Sequence, residues 1–149
     1  MKRLSLILVA LVVAVAVAMP VMGRDWIEKP LLSASERVLT TMPADFYQID
    51  PKALERLMET AKPFVLDVRE PAEWQADRIA GAVHIPLRDL ARNVGKLPEN
   101  KSTPIVTYCA IGYRGGISMT VLRMWGYTNV RTLKGGLNGW KAAGLPVTK

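Results

Sequence analysis

The chain has 149 residues, a formal net charge of +7 and a single cysteine. One cysteine excludes an internal disulfide and any Cys-x-x-Cys redox or zinc site. The positive excess is spread along the chain, without the clustered basic face and interleaved aromatics of nucleic-acid binders, so no nucleic-acid partner is expected.

The N-terminus begins with the short basic segment Met1-Lys2-Arg3. Leu4 to Ala18 is then apolar apart from Ser5, and Ala16-Val17-Ala18 gives a small-x-small pattern. This is the anatomy of a secretory signal. Leu4 to Met22 also approaches the roughly 20 residues that span a bilayer, which leaves an uncleaved anchor as the second reading. Residues 1–23 are therefore assigned as signal peptide or membrane anchor, with membrane attachment through residues 4–22 in the second case. Either reading places the remainder outside the cytoplasm, periplasmic or secreted. An unpaired thiol in so oxidising a compartment calls for a chemical explanation.

Residues 24–46 read as a connector of mixed composition, with Pro30, Pro43 and a short helix near Ser33 to Leu39. The globular part is expected over residues 47–149, enough for one modest core. Tyr47-Gln48-Ile49 reads as a short edge strand, and Asp50-Pro51 caps and starts a helix over Lys52 to Thr60. Phe64 to Val68 is a strand, and Pro71 starts a short acidic turn, Ala72 to Asp77. Ala82 to Ile85 is a shorter strand, and a helix is expected over Leu87 to Val94. Ile105 to Tyr108 is the clearest strand. A helix follows over Gly116 to Trp125, then a strand over Val130 to Leu133 and a last helix over Leu137 to Ala143. Such alternation predicts an α/β fold, a central mostly parallel sheet of about five strands with helices on both faces. Ligands bind such sheets at the carboxyl ends of the strands.

Cys109 lies at such an end. It opens the run Cys109-Ala110-Ile111-Gly112-Tyr113-Arg114, followed by Gly115-Gly116. Backbone N–H groups converge on an anion where a strand turns into a helix, and the helix dipole adds partial positive charge. A thiol placed there is biased toward the nucleophilic thiolate. The bland alternative is a small buried hydrophobe. The position after the apolar run, the three nearby glycines and Arg114 favour the reactive reading.

The block from Tyr47 to Val147 resembles a single-domain rhodanese, a sulfurtransferase module. Five patterns carry the resemblance, in the family's order. They are Asp67-Val68-Arg69-Glu70 with Glu73-Trp74; Ile79-Ala80-Gly81-Ala82-Val83-His84-Ile85-Pro86; Val106-Thr107-Tyr108-Cys109 with Gly112 and Arg114; Gly126-Tyr127-Thr128-Asn129-Val130; and Leu133-Lys134-Gly135-Gly136 with Trp140. The resemblance implies a rhodanese-like fold and a two-step sulfur transfer. The Cys109 thiolate takes the outer sulfur of a donor such as thiosulfate or polysulfide, forming a persulfide. A thiophilic acceptor, cyanide or a thiol, then removes it. Cys109 is the expected catalytic residue, and Ala110, Ile111, Gly112, Tyr113 and Arg114 the expected substrate-binding loop. No metal and no cofactor is implied. The alternative function is a sulfur carrier or persulfide-binding module that acts with an unidentified partner protein and turns over little alone.

Loop length separates this reading from a neighbouring one. Related phosphatases and arsenate reductases place five residues between cysteine and arginine, and this chain places four, which favours sulfur over phosphate. Arg114 has two expected roles, binding the donor's oxyanion or closing the loop through backbone carbonyls. Asp67 and Arg69 are expected to pair structurally beneath the loop. His84 is expected to be a hydrogen-bonded strand-end residue. Trp74, Trp125 and Trp140 are expected to pack in the core or on loops. Gly115 stands where the family often has serine or alanine, which predicts a looser helix start.

Overall fold

The computed structural model describes residues 28–149, so the signal or anchor reading of residues 1–23 lies outside the described residues. The chain divides into two compact units, the second running from Thr40 to Lys149. Residues 28–40 are helical and are termed α1. This helix is longer than the expected Ser33 to Leu39, and Pro30 lies within it. Ala34, Glu36, Arg37 and the flanking leucines are strong helix formers, which favours the extension. Among the described residues, no helix is long and apolar enough to cross a membrane.

The second unit is built on five parallel strands: β1 (Gln48–Ile49), β2 (Phe64–Asp67), β3 (Val83–His84), β4 (Ile105–Tyr108) and β5 (Val130–Leu133). Their order across the sheet is β1-β5-β4-β2-β3. Strand β4 is therefore central, and all four of its residues are buried. It pairs in parallel with β2, Asp67 opposite Tyr108, and with β5, Ile105 opposite Val130. A strand buried on both faces reads as a continuous apolar run, which is why it was legible in the sequence.

Side chains of β4 alternate between two cores, as a period of two requires. Ile105 and Cys109 belong to one, with Leu66, Val68, Met119 and Leu122. Val106 and Tyr108 belong to the other, with Leu54, Leu133, Leu137 and Trp140. Helix α4 (Tyr113–Met124) supplies the first face; α2 (Pro51–Thr60) and α5 (Gly136–Ala142) supply the second. Each fully buried aliphatic side chain contributes about 1.5–3 kcal/mol relative to exposure.

Several elements differ from expectation. Helix α4 begins at Tyr113, three residues before the expected Gly116, so the end of the cysteine loop is already the helix's first turn. The residue that permits this is Gly112, whose φ of +111° turns the chain directly into the helix. The acidic turn after Pro71 is a short helix, α3 (Pro71–Ala76). The helix expected over Leu87 to Val94 is instead two 3₁₀ segments, Leu87–Asp89 and Ala91–Lys96. Asn93 leaves helical geometry there at φ −112°, and Gly95 follows, so a regular α-helix does not propagate. The third strand shrinks to Val83–His84. Asp50 precedes α2 but its carboxylate does not cap it; it pairs with Lys134 at 3.4 Å.

Candidate active site

Cys109 follows the last residue of β4, and three residues separate it from α4. Its side chain is 1% exposed, so the thiol sits at the floor of the loop and not on its rim. The Gly112 N–H donates to Sγ at 3.2 Å. Helix geometry leaves the N–H groups of Tyr113, Arg114 and Gly115 without an acceptor one turn earlier, which suits them to an anion in the loop. Cys109 packs in a core cluster, and its sulfur accepts a backbone hydrogen bond at a helix start.

The loop is held from behind by α5. The Leu137 N–H donates to the Cys109 carbonyl at 2.7 Å, and the Asn138 N–H to the Ala110 carbonyl at 2.9 Å. This approach needs Gly136. A Cβ there would stand 2.3 Å from the Cys109 carbonyl oxygen and 2.8 Å from the Ala110 carbonyl carbon. Gly136 is therefore what lets α5 pack against the backbone of Cys109 and Ala110.

Gly115 has a similar reason, and the expected looseness is absent. A Cβ at Gly115 would meet Thr132 Oγ1 at 2.7 Å and Tyr108 Cα at 3.3 Å. Its carbonyl accepts from Thr107 Oγ1 and Ser118 Oγ, both at 2.8 Å. The Thr107 hydroxyl thus ties this turn to β4, and the Ser118 hydroxyl reinforces it from within α4.

Asp67 and Arg69 pair as expected. The Asp67 carboxylate is fully buried and accepts from the Arg69 backbone N–H at 2.9 Å and from Arg69 Nη2 at 2.6 Å. Arg69 also donates to the Asp77 carbonyl and carboxylate. Burial works against the Arg69 charge, and the bonds to Asp67 outweigh it, so its pKa is raised. The guanidinium lies 5.6 Å from the centre of the Tyr108 ring, beside the strand that ends in the cysteine. The pair braces the base of the loop. Asp77 is engaged a second time by Lys141 of α5.

Arg114 does something neither reading anticipated. Its Nη1 and Nη2 donate to Glu73 Oε2 and Oε1 at 2.7 and 2.8 Å. Glu73 belongs to α3, where Oε2 also accepts the Glu70 N–H at 3.0 Å. Hydrogen bonding to Glu73 raises the Arg114 pKa against the effect of burial, with a smaller contribution from Cys109. The same bond, opposed by burial, lowers that of Glu73. Glu73 was visible in the sequence as the acid of the Asp67-x-Arg69-x-x-x-Glu73 pattern, but no local spacing linked it to Arg114.

His84 is a hydrogen-bonded strand-end residue. Its Nε2–H donates to the Arg69 carbonyl at 2.8 Å, and its ring stacks on Trp74 with centroids 4.9 Å apart. Trp140 is buried and donates to the Pro146 carbonyl. Trp125 departs from the core reading: it follows the end of α4 and is exposed. Ile111 and Tyr113 are exposed on the loop and help to line an adjoining groove of about 530 Å³ with Met42, Phe46 and Ile117. Among the described residues, no cluster of three or more His, Cys, Asp or Glu could hold a metal ion.

A lone cysteine at the carboxyl end of the central strand of a parallel sheet, with four residues between it and an arginine, is the arrangement of a rhodanese-fold protein. Residues 50–143 match the family model for the rhodanese-like domain, and the chain belongs to that family. A sulfurtransferase of Allochromatium vinosum is 31% identical over 101 residues, covering 67% of this chain and 92% of that protein. An uncharacterized protein of Synechocystis is 38% identical over 101 residues, covering 68% of this chain but 55% of that protein, so the chain spans about half of that relative's length. The crystal structure of a rhodanese-related protein from Thermoplasma volcanium superposes with a TM-score of 0.61 at 29% identity, covering 68% of this chain and 96% of the other. Family and relatives together support a sulfurtransferase-type function.

Proposed function

We propose that this chain moves sulfane sulfur from a donor such as thiosulfate or polysulfide to a thiol or cyanide acceptor through a persulfide on Cys109. The observation that carries the reading is the Gly112 N–H bond to Cys109 Sγ at the start of α4. The thiolate attacks the donor's outer sulfur, the donor's S–S bond breaks, and its electron pair leaves with sulfite. The new outer sulfur carries the negative charge. The unpartnered first-turn amides of α4 are the groups that would meet it, and preorganised donors of this kind need no rearrangement during reaction. The acceptor then attacks the outer sulfur and the Cys109 thiolate returns. Ala110 to Arg114 form the binding loop in this scheme.

The test is the intact mass of the full chain after exposure to thiosulfate or polysulfide. An adduct of one sulfur atom on Cys109, discharged by added thiol, is the expected result. No adduct from either donor would overturn the reading. An adduct that forms but discharges only in the presence of a partner protein would select the sulfur-carrier alternative.

The setting belongs to the same proposal. Lys2-Arg3, the apolar run and Ala16-Val17-Ala18 support export, with cleavage or anchoring at residues 1–23. Cell fractionation is expected to recover the domain outside the cytoplasm. A full-length soluble cytoplasmic protein would refute export, and uncleaved protein in membranes would select the anchor.

A further inference from the structure

Arg114 is the only charged residue from Cys109 to Gly116. An incoming anionic donor would be met by its guanidinium fork, yet both terminal nitrogens already face the Glu73 carboxylate, at 2.7 and 2.8 Å. Two parallel bonds of this kind are among the stronger side-chain pairings. Glu73 is fixed independently of the arginine, because Oε2 also accepts the Glu70 N–H in α3. The nearby Arg69 offers no free cation either, since Asp67 and Asp77 engage it. A full negative charge therefore stands beside the loop's one positive charge. Both side chains of the pair are about one-third exposed, at 31% and 33%.

We infer that Glu73 sets the charge of the sulfur donor this site accepts, disfavouring dianions and favouring monoanionic donors. Glu73 touches no reacting atom. It is a specificity-determining residue that acts through Arg114. Its Coulomb energy with a donor scales with the donor's charge, so it penalises a dianion twice as heavily as a monoanion in the same place. Shape does not enter this difference, which makes it separable by experiment.

Two donors of like shape differ by one charge, thiosulfate (a dianion) and methanethiosulfonate (a monoanion). In both, the Cys109 thiolate forms a bond to the outer sulfur. The donor's sulfur–sulfur bond breaks, and the electron pair leaves on sulfite or on methanesulfinate. No oxidant or reductant is needed. This arm rests on the sulfur-transfer reading. A second arm does not: alkylation of Cys109, the only thiol, by anionic iodoacetate and by neutral iodoacetamide.

The variants are Glu73→Gln, Glu73→Asp, Arg114→Gln and the double variant Glu73→Gln/Arg114→Gln in the full chain. In Glu73→Gln the ratio of kcat/KM for thiosulfate over methanethiosulfonate is expected to rise about tenfold, and to fall back with added salt. The iodoacetate-to-iodoacetamide rate ratio is expected to rise in the same variant. Glu73→Asp is expected to stay near wild type. Arg114→Gln, which removes the cation, is expected to lower both ratios, and removing the carboxylate as well in Glu73→Gln/Arg114→Gln is expected to raise them again, which keeps the question answerable should Glu73→Gln alone fold poorly. If both rates drop together with unchanged ratios, Glu73 is merely a structural brace and the inference is overturned. If no donor loads any variant but the alkylation ratio moves as stated, the sulfur-transfer reading fails and the charge-setting role of Glu73 stands.

Discussion

Replacing Cys109 by serine is expected to abolish sulfur transfer and leave the fold standing. Cys109 is the sole thiol, so no second sulfur nucleophile can substitute for it. A serine hydroxyl is not thiophilic and is not ionised near neutral pH, and among the described residues no side-chain base is hydrogen-bonded to this position. His84, the only histidine, spends its Nε2–H on the Arg69 carbonyl. The fold survives because serine is nearly the size of cysteine and the Gly112 N–H that meets Sγ can bond to Oγ instead. The stability cost is then expected to stay within about 1–3 kcal/mol, the range for an imperfectly satisfied buried hydroxyl. Sulfite release from thiosulfate and a circular-dichroism melt read the two halves separately. Activity near wild type in the variant would sink the persulfide mechanism.

Gly136→Ala is expected to damage both the fold and the activity. The new methyl would stand 2.3 Å from the Cys109 carbonyl oxygen, and the backbone there has φ +58°. Left-handed backbone costs a non-glycine residue about 1–2 kcal/mol. Overpacking against neighbours adds about 1–3 kcal/mol. A loss of about 2–5 kcal/mol follows from adding the two. The strain is relieved only if α5 withdraws from the loop, and the Leu137 and Asn138 amides then leave the carbonyls of Cys109 and Ala110. Gly81→Ala is the matched control. Gly81 also has positive φ, +76°, but nothing lies within 4 Å of its would-be Cβ. It is expected to lose only the backbone cost of about 1–2 kcal/mol and to keep its activity. Equal melting points and rates for the two variants would show that the close approach at Gly136 does not matter.

Much of this architecture was legible before any coordinates. The apolar run Ile105 to Tyr108 is buried on both faces and therefore announces itself. The cysteine could be placed at the end of that strand from the run alone, and Pro51 marked a helix start by its fixed φ. What escaped the sequence depends on contacts between distant segments. The Arg114–Glu73 pair joins residues 41 positions apart, and no periodicity encodes it. The need for glycine at position 115 comes from Thr132 on a neighbouring strand. The apolar spacing after Pro86 allows one helix. Tight 3₁₀ turns with a break at Asn93 satisfy the same spacing. Nothing in the local sequence marks the early start of α4, because a glycine is as compatible with a loop as with the positive φ that makes Gly112 the hinge into the helix.

The two amide bonds from α5 to the cysteine loop also say something about when the protein becomes competent. Cys109 and the whole sequence of its loop are synthesised before Leu137 and Asn138, yet the loop's carbonyls find those partners only when the later helix docks. A nascent chain carries Cys109 before the α5 amides that hold its loop are available. Domains fold as units while synthesis proceeds from the N-terminus. Assembly of the reactive centre is thereby tied to completion of the domain, and the thiol is set in place by one of the last elements to arrive.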